Sequence, residues 1–501
     1  MTAPLPRPAE CSPVPIARLA RLLGVTPLGH AAASVTGVSL DSRTVRPGDL
    51  YAALPGAHTH GARFAAQALA QGAIAVLTDP AGLELLGDLP DTVAALVVSE
   101  PRAVLGALAA EVYGTSGSVP TLVGITGTNG KTTTAYLLDS AARALGLTAG
   151  LIGTVEIRVG ERRLPSVRTT PESPDLHALL ATMREVGVDI CVMEVSSHAL
   201  ALHRVDGVRY DVAAFTNLSQ DHLDLHGTMA DYYAAKAALF TPERARRGVI
   251  HIGDPWGARL AREATIPVVT LATDGDADYR LTFNLDDSVT IRGLNLNVTL
   301  TSALPGAFNQ ANTALAAVVL HQLGYDAEQI TRAVLADPHV PGRMERVRAG
   351  DPDAPLGIVD YAHTPDAVQT ALAALRPHAP AGLIVVLGAG GDRDRGKRAA
   401  MGSAAAEGAD VVIVTDDNPR SEDPELIRRA VREGAEAAGT DAEIVEIADR
   451  REAIRAAVAA GRARGPGVVV AVVGKGHERG QEVDGVVHPF DDRDELEAAL
   501  T

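Results

Sequence analysis

TLVGITGTNGKTTTAYLLDSAARAL, residues 121–145, is the stretch that decides the fold. Its apolar start, residues 121–126, predicts a buried strand, and residues 135–145 predict a helix. Between them lies GTNGKTT, residues 127–133, whose glycines let the backbone wrap around phosphate groups. A strand, a glycine-rich loop with a lysine and a helix, in this order, predict a phosphate-binding loop in a parallel α/β sheet.

The same alternation of short apolar runs and alanine-rich helical stretches continues along the chain, which is typical of βα units. Residues 279–300 differ, because apolar and polar residues alternate there around a turn at 286–288, and they predict antiparallel strands that extend the second sheet. The other predicted strands are residues 72–77, 94–98, 121–126, 190–195, 212–215, 358–359, 383–387, 411–414 and 468–473.

These runs fall into three groups, and 501 residues are enough for about three domains. We predict an α/β protein with a smaller N-terminal α/β domain over residues 1–98. Residues 99–338 are predicted to form a central P-loop domain with a mainly parallel sheet and helices on both faces. Residues 339–501, which repeat strand and helix without a phosphate loop, are predicted to form a Rossmann-like C-terminal domain.

The composition of the chain disfavours or excludes several classes of function. Lys and Arg total 45 against 62 Asp and Glu, a formal charge of -17, which disfavours nucleic-acid binding. The two cysteines, 180 positions apart, exclude a disulfide framework and a zinc site built from cysteine. The N-terminus is broken by prolines, and the strongest apolar run, residues 468–473, is far shorter than the ~20 residues that span a bilayer. We therefore predict a cytoplasmic protein without membrane insertion.

An anionic ligand needs local positive charge in such an acidic chain. In the loop, Lys131 and the helix N-terminus supply it, and the Thr132 hydroxyl suits Mg²⁺. A strict P-loop has glycine where this chain has Ile125, so the loop belongs to a variant group. An ordinary glycine-rich turn is the alternative. The remaining predicted loop contacts to nucleotide are Gly127, Thr128, Asn129, Gly130 and Thr133.

Two further side chains follow predicted strands of the same sheet. Glu194 ends one strand, and His222 lies in DHLD after the strand at 212–215. Because the carboxyl ends of parallel strands meet at one edge, both are candidate metal ligands, although each could instead cap a helix or satisfy the core. Arg204 is a candidate cation for an anionic substrate, with a solvated arginine as the alternative. Weaker candidates are His198, His203 and His226.

Taken together, the motifs resemble the Mur ligase family in order and spacing, over almost the whole chain. They are GTNGKTT at 127–133, EVSSH at 194–198, DHLD at 221–224, GAFN at 306–309 with Asn312, GRME at 342–345 and DYAHTP at 360–365. Four more motifs resemble the members that add a diamino acid to UDP-N-acetylmuramoyl-L-alanyl-D-glutamate. They are LDSR at 40–43, GDRD at 391–394, DNPR at 417–420 and GKGHE at 474–478.

The resemblance implies an ATP-dependent amide ligase of peptidoglycan biosynthesis. In the family mechanism the D-glutamate γ-carboxylate attacks the γ-phosphate of ATP and forms an acyl phosphate, which the incoming amine then attacks. Negative charge gathers in both steps, and Lys131, the loop N–H groups and Mg²⁺ held by Thr132 and Glu194 would offset it. A P-loop kinase of a small molecule and a nucleotide-binding module without chemistry are alternatives from other classes.

The resemblance also implies residue roles. Lys236 falls where the family carries a carbamylated lysine (N6-carboxylysine) and would support a second Mg²⁺ with His222; by sequence alone it would be a solvated helix lysine. ATP would be bound, besides the loop, by Asn309, Asn312, Arg343 and Asp360. The UDP-N-acetylmuramoyl dipeptide would contact Leu40, Ser42, Ala57, His58, Thr59, Thr169, Thr170, Ser196 and Arg204. Arg168 and Leu202 depart from family forms that carry Asn and Gln.

The third domain would select the amino acid. DNPR is the form that the family associates with meso-diaminopimelate, whose distal carboxylate Arg420 could bind. L-Ornithine and L-lysine, which lack that carboxylate, remain alternatives, and the chain is expected to act as a monomer. The predicted contacts to the amino acid are Arg393, Asp417, Asn418, Pro419, Arg420, Gly474 and Glu478.

Overall fold

A computed structural model describes residues 5–117, 120–334, 339–347, 354–392 and 394–501. The described residues form two compact units. The first comprises those within Met1–Thr282, Thr290–Leu300 and Asn312–Ala336, and the second those within Phe283–Val289, Thr301–Ala311 and Asp337–Thr501. Within these residues, the three main sheets have five, eleven and six strands. The α/β class is confirmed, and the domain boundaries at 98/99 and 338/339 stay predictions.

The five-stranded sheet contains the predicted strands near residues 75 and 95. Four of its strands are parallel, and the short edge strand Leu28–Gly29 is antiparallel. Its strand order is Leu28–Gly29, Ala94–Val97, Ala75–Thr78, Asp49–Ala52 and Gly37–Ser39. A small two-stranded sheet pairs Val14–Pro15 with Ser34–Val35. The helices of this region are Ile16–Leu23, Gly61–Phe64 (3-10), Ala65–Ala70, Pro80–Leu86 and Pro101–Tyr113.

The eleven-stranded sheet is built around the strand Thr121–Thr126, which pairs in parallel with Ile190–Glu194 and Val212–Phe215. Its order is Arg162–Pro165, Glu156–Val159, Ala149–Ile152, Ile190–Glu194, Thr121–Thr126, Val212–Phe215, Gly248–His251, Val268–Ala272, Tyr279–Phe283, Ser288–Gly293 and Leu296–Thr301. The last three strands extend this sheet as predicted, with short turns between them, but the first of them, Tyr279–Phe283, pairs with Val268–Ala272 in parallel. The helices are Lys131–Ala144, Ser173–Glu185, Ser197–Ala201, Leu223–His226, Met229–Ala237, Ala238–Phe240 (3-10), Pro255–Glu263, Ala307–Gln322 and Ala327–Val334.

The six-stranded sheet has five parallel strands and one antiparallel edge strand, Glu345–Val347. Its order is Glu345–Val347, Leu356–Asp360, Val468–Val473, Gly382–Leu387, Val411–Val414 and Glu443–Glu446. Every residue of Val468–Val473 is buried, as expected for a strand covered on both faces. A hairpin joins Gln481–Val483 to Val486–His488. The helices are Pro365–Leu375, Arg376–His378 (3-10), Lys397–Gly408, Pro424–Ala437, Arg450–Arg464 and Asp492–Leu500.

Several helices begin where the sequence supplies both a cap and a proline. Asp254 accepts hydrogen bonds from two backbone N–H groups of the helix that starts at Pro255. Thr364 and Asp423 do the same once each for the helices that start at Pro365 and Pro424. Such caps satisfy N–H groups that have no partner within the helix, and proline at the first position costs no hydrogen bond. In the part of the chain that the structure describes, no helix is long and apolar enough to cross a membrane.

Candidate functional site

The phosphate loop has the conformation that its glycines predict. Gly127 and Gly130 have φ of 147° and 84°, in the region that favours glycine. A Cβ at Gly127 would lie 1.8 Å from the Thr216 Oγ1 atom, so a side chain there would clash. Lys131 folds back over the loop, and its Nζ donates to the carbonyls of Gly127 and Thr128 at 2.9 and 2.8 Å. The ammonium group therefore lies at the loop, where a phosphate would need it.

Residues after the neighbouring strand hold the loop in place, and no sequence pattern indicated them. Thr216 Oγ1 donates to the Asn129 carbonyl at 2.6 Å, and the Asn217 side chain accepts from the Asn129 N–H at 3.0 Å. Both follow the strand Val212–Phe215, which is paired with the strand before the loop. Their contribution is visible only once the two strands are aligned.

Glu194 lies beside the loop, as predicted. Parallel pairing sets it opposite Ile125, and it is 1% exposed. Thr132 Oγ1 donates to Glu194 Oε2 at 2.9 Å. Thr154, in the turn between Ala149–Ile152 and Glu156–Val159, donates its N–H to Oε1 at 2.8 Å and its hydroxyl to Oε2 at 3.1 Å. No sequence pattern indicated Thr154, because the two strands that this turn joins were not predicted.

Lys236 is also at the loop. Its side chain is 1% exposed, its Nζ donates to the Gly127 carbonyl at 2.7 Å, and it lies 4.6 Å from the Tyr232 ring centroid. Burial, reinforced by the charge of Lys131, lowers the pKa of Lys236 well below its usual range. The alternative of a solvated helix lysine is therefore wrong.

His222 is the N-cap residue that precedes the short helix Leu223–His226, and it lies in the left-handed region with φ of 52°. Its Nε2 lies 3.5 Å from Asp221 Oδ2, and its ring centroid is 4.8 Å from that of His198. Partial burial, with further contributions from the positive charges of Lys131 and Lys236, lowers the pKa of His222. A neutral imidazole is the form that binds metal. The weaker candidate His203 instead pairs with Asp206, at 2.8 Å.

A metal at this position would depend on oxygen donors. Across residues 5–117, 120–334, 339–347, 354–392 and 394–501, no three His, Cys, Asp or Glu side chains are grouped so that they could hold a metal. The donors that do converge are the hydroxyl of Thr132 and the carboxylate of Glu194, next to a phosphate loop. Hydroxyl, carboxylate and phosphate oxygens are the ligands that Mg²⁺ prefers, so these residues fit that ion.

Three predicted contacts to the acceptor substrate, the UDP-N-acetylmuramoyl dipeptide, lie near Glu194. The Thr170 hydroxyl donates to the Glu194 carbonyl at 2.9 Å and accepts from the Ser196 N–H at 3.1 Å. The Thr169 hydroxyl lies 3.0 Å from that of Thr154. The candidates Thr169, Thr170 and Ser196 therefore lie near the end of the strand Ile190–Glu194.

Arg204 is not a solvated arginine. Its side chain is 14% exposed, and its Nε lies 2.9 Å from Glu172 Oε1. Arg102 and the divergent Arg168 also pair with Glu172, at 3.0 and 3.5 Å. Three guanidinium groups around one carboxylate leave an excess of positive charge, which suits an anionic ligand. The other divergent residue, Leu202, follows the helix Ser197–Ala201 and is half-buried.

The predicted uridine-nucleotide contacts lie at one edge of the five-stranded sheet. Leu40 follows the strand Gly37–Ser39, and the exposed loop of Ala57, His58 and Thr59 follows the parallel strand Asp49–Ala52. Ser42 is buried, and its hydroxyl donates to Gln67 Oε1 at 2.9 Å.

Asn309 and Asn312 both lie in the helix Ala307–Gln322. In the first unit, Asn312 Oδ1 accepts from the Thr134 hydroxyl at 3.4 Å and lies next to Gly130, where an added Cβ would be 2.4 Å away. In the second unit, Asn309 Nδ2 donates to the Pro305 carbonyl at 2.8 Å. Asn312 is therefore placed at the phosphate loop by its own contacts.

Arg343 and Asp360 lie close together in the second unit. The Arg343 guanidinium is 4.4 Å from the Tyr361 ring centroid and donates to His477 Nδ1 at 3.4 Å. Asp360 accepts the N–H groups of Met344 and Ala362, both at 2.8 Å, and burial raises its pKa. Burial lowers the pKa of His477 to about 3, so that the imidazole is neutral and can accept from Arg343. Tyr361 and His477, which were not predicted as contacts, are neighbours of Arg343 in the folded chain.

The motifs DNPR and GKGHE meet at the carboxyl ends of two parallel strands, Val411–Val414 and Val468–Val473. Lys475 is fully buried, and its Nζ donates to Asn418 Oδ1 at 2.9 Å. Asn418 Nδ2 in turn donates to Glu478 Oε2 at 2.9 Å. Gly474 has φ of 114°, and a Cβ there would lie 2.7 Å from Asp417 Oδ2. Lys475 thus fixes the position of Asn418, which in turn contacts Glu478, although Lys475 was not itself predicted as a contact.

Arg420 stands at the rim of this group. It has φ of 53°, its Nη1 donates to the Gly391 carbonyl at 2.6 Å, and its Nε lies 3.3 Å from Glu482 Oε2. Pro419 is packed against Gly391, where an added Cβ would be 1.9 Å from the Pro419 carbonyl oxygen. The predicted contact Arg393 lies outside the described residues.

Comparisons with known proteins agree with this architecture. Three family models match in order: the Mur ligase family catalytic domain over residues 34–113, the Mur ligase middle domain over 125–320 and the Mur ligase glutamate ligase domain over 342–476. A UDP-N-acetylmuramoyl-L-alanyl-D-glutamate--2,6-diaminopimelate ligase from Streptomyces coelicolor is 51% identical over 99% of this chain and 98% of its own length.

A second relative, from Leifsonia xyli subsp. xyli, carries the name UDP-N-acetylmuramyl-tripeptide synthetase and is 46% identical over 100% of this chain and 99% of its own length. A solved structure of a UDP-N-acetylmuramoyl-L-alanyl-D-glutamate--2,6-diaminopimelate ligase is similar with a TM-score of 0.66 and 32% identity, over 98% of this chain and 99% of that one. The motifs, the sheets and these full-length matches agree: the chain belongs to the Mur ligase family.

Proposed function

We propose that this protein is the ATP-dependent ligase that adds meso-diaminopimelate to the D-glutamate of UDP-N-acetylmuramoyl-L-alanyl-D-glutamate in peptidoglycan biosynthesis. The observation that carries the proposal is the buried Glu194, hydrogen-bonded to Thr132 at the start of the phosphate-loop helix. Two relatives about half identical over the full length are named UDP-N-acetylmuramoyl-L-alanyl-D-glutamate--2,6-diaminopimelate ligase, which supports this choice of substrates. We further propose that it works as a monomer in the cytoplasm, with the domains predicted above.

In the first step, the γ-carboxylate of D-glutamate attacks the γ-phosphorus of ATP, the bond to the β–γ bridging oxygen breaks, and ADP leaves. Lys131 and the loop N–H groups offset the charge that develops on the transferred phosphoryl group. Mg²⁺, when bound by Thr132 and Glu194, would supply further positive charge at the phosphate oxygens. The product is an acyl phosphate, whose leaving group is phosphate rather than oxide.

In the second step, the amine of the amino acid attacks the acyl carbon, loses a proton, and phosphate departs. Lys236 is proposed to act as a carbamate that supports a second Mg²⁺ with His222. Its burial at the loop, with the Gly127 carbonyl as its hydrogen-bond acceptor, supports a role at the site rather than in solvent. Asn309, Asn312, Arg343 and Asp360 are proposed ATP contacts.

The acceptor dipeptide is proposed to bind through Thr169, Thr170, Ser196 and Arg204, and its uridine nucleotide through the residues at the edge of the five-stranded sheet. For the amino acid we propose Asp417, Asn418, Pro419, Gly474 and Glu478 around the ligand, with Arg420 on its distal carboxylate. Arg393 of the neighbouring motif is proposed as a further contact. Ornithine and lysine remain the alternatives, because the contacts around Asn418 do not depend on a distal carboxylate.

The test supplies the purified protein with UDP-N-acetylmuramoyl dipeptide, Mg²⁺ and ATP, and separately with diaminopimelate, ornithine or lysine, and weighs the products by mass spectrometry. We expect the diaminopimelate adduct with one ADP and one phosphate released per bond. A kinase would give a phosphorylated acceptor without amine, and a binding module would give neither. Exclusive incorporation of ornithine or lysine would overturn the choice of amino acid and leave the ligase reaction standing.

A further inference from the structure

The turn between the strands Ala149–Ile152 and Glu156–Val159 is wrapped around the Glu194 carboxylate. Thr154 donates two hydrogen bonds to it, from its N–H to Oε1 at 2.8 Å and from its hydroxyl to Oε2 at 3.1 Å. Gly153 comes so close that an added Cβ would lie 2.4 Å from Oε1. The turn itself is closed by a hydrogen bond from the Gly153 N–H to the Glu156 carbonyl, at 3.1 Å.

A carboxylate that is 1% exposed needs such partners, because burying a charge without hydrogen bonds is costly. Thr132 also donates to Glu194, at 2.9 Å, and it is the hydroxyl proposed as a metal ligand. If Thr132 turns to the ion, Thr154 is left to hold the carboxylate in its orientation. Partners of this kind commonly set how well a ligand binds metal.

The hydrogen bonds of the Thr154 hydroxyl also have a defined direction. The Thr154 hydroxyl donates to Glu194 Oε2, so its single hydrogen is used on that bond. The Thr169 hydroxyl, 3.0 Å away, must then donate to Thr154. A chain of hydrogen bonds therefore runs from Thr169, a proposed acceptor contact, through Thr154 to Glu194, and it leaves the lone pairs of Thr169 to receive a donor from the ligand.

We propose that Thr154 is a positioning residue that orients Glu194 for Mg²⁺ and connects that ligand to the acceptor site through Thr169. The proposal rests on the function proposed above and assigns Thr154 no contact with substrate. The hydroxyl and the backbone N–H of Thr154 can be tested separately, since every substitution except proline keeps the N–H, whereas valine or alanine removes the hydroxyl.

The test compares Thr154→Val, which keeps the shape of the side chain but removes the hydroxyl, with Thr154→Ser, which keeps the hydroxyl. Calorimetry measures ATP binding to each full-length variant over a series of Mg²⁺ concentrations and without the metal. We expect Thr154→Val to raise the Mg²⁺ concentration for half-maximal binding about 10- to 100-fold, and Thr154→Ser to stay close to the wild type. Binding of metal-free ATP should be the same in all three proteins.

The unfolding midpoint of each metal-free protein is recorded alongside. Unchanged Mg²⁺ dependence in Thr154→Val overturns the proposal, and so does an equal loss in Thr154→Ser. Thr154→Ala is a second hydroxyl-free variant in case Thr154→Val does not fold; failure of both to fold would assign the hydroxyl to stability and overturn the proposal. Wild-type ligation, followed by mass spectrometry, keeps this result separate from a failure of the proposed function.

Discussion

Replacing Arg420 with alanine should weaken binding of diaminopimelate and leave the ATP step intact. The side chain is 23% exposed, and its guanidinium is oriented by the Gly391 carbonyl at 2.6 Å and by Glu482 at 3.3 Å. In the part of the chain that the structure describes, these contacts engage Nη1 and Nε. The donors on Nη2 therefore remain for the distal carboxylate of a ligand.

The magnitude follows from that geometry. A hydrogen bond to a charged group contributes about 1.5–3 kcal/mol. At 1.4 kcal/mol for each factor of ten, its loss raises the KM for diaminopimelate about 10- to 150-fold. The kcat should change little, because Arg420 is proposed to contact the end of the amino acid that does not react. The KM for lysine, which has no distal carboxylate, should not change with the substitution.

The assay measures phosphate release at saturating ATP and dipeptide while the amino acid is varied. Arg429→Ala is the matched control, since Arg429 is exposed on the helix Pro424–Ala437 and pairs with Glu425 at 2.7 Å. An unchanged KM for diaminopimelate in Arg420→Ala would refute the assignment. An equal rise for the control would trace the effect to net charge instead of to this contact.

Other changes test the loop and the stability of the fold. Lys131→Ala should lower kcat about 10²- to 10³-fold by removing charge at the transferred phosphate, measured as phosphate release; a retained rate contradicts its role. Asp492→Ala breaks the fully buried pair of Asp492 with Arg450, 2.7 Å long, and should lower the free energy of unfolding in urea by about 3–5 kcal/mol, whereas the exposed Asp494→Ala should not. Burial lowers the pKa of His177 to about 4 from 6.5, so the unfolded chain takes up this proton first as pH falls, and stability is lost between pH 6.5 and 4. The unfolding midpoint of His177→Gln should fall less across that window than that of the wild type, and equal slopes would contradict this.

The predicted strands were mostly confirmed because they are apolar runs that the interior must bury. Thr121–Thr126, Val411–Val414 and Val468–Val473 fall where their hydrophobicity indicates. Short or polar strands escaped prediction. Arg162–Pro165, for example, is an edge strand with three exposed residues out of four, and its neighbour Glu156–Val159 carries Arg158 in ion pairs with Glu156 and Asp139. Charges that are paired across the structure give no local hydrophobic pattern.

The site residues also divide into those that a sequence pattern indicates and those that it does not. Glu194 could be selected because it ends an apolar strand next to a phosphate loop, and in the folded chain it accepts a hydrogen bond from Thr132. Thr154 could not, since a threonine in a turn has no distinguishing spacing. Lys475 lies within a motif that the sequence analysis quoted, yet its complete burial and its hydrogen bond to Asn418 become visible only in the folded chain.

The order of apolar runs, glycines and charged motifs along the chain was enough to predict the α/β class, the phosphate loop and the family resemblance, because these depend on local periodicity and on residues close in sequence. Tertiary structure alone decided which distant groups touch. It buried Lys236 against the Gly127 carbonyl, gathered three arginines around Glu172 and folded a turn over Glu194. The physical reason is that burial and hydrogen bonding are properties of strands brought side by side, and the spacing of residues within one strand does not specify its neighbour.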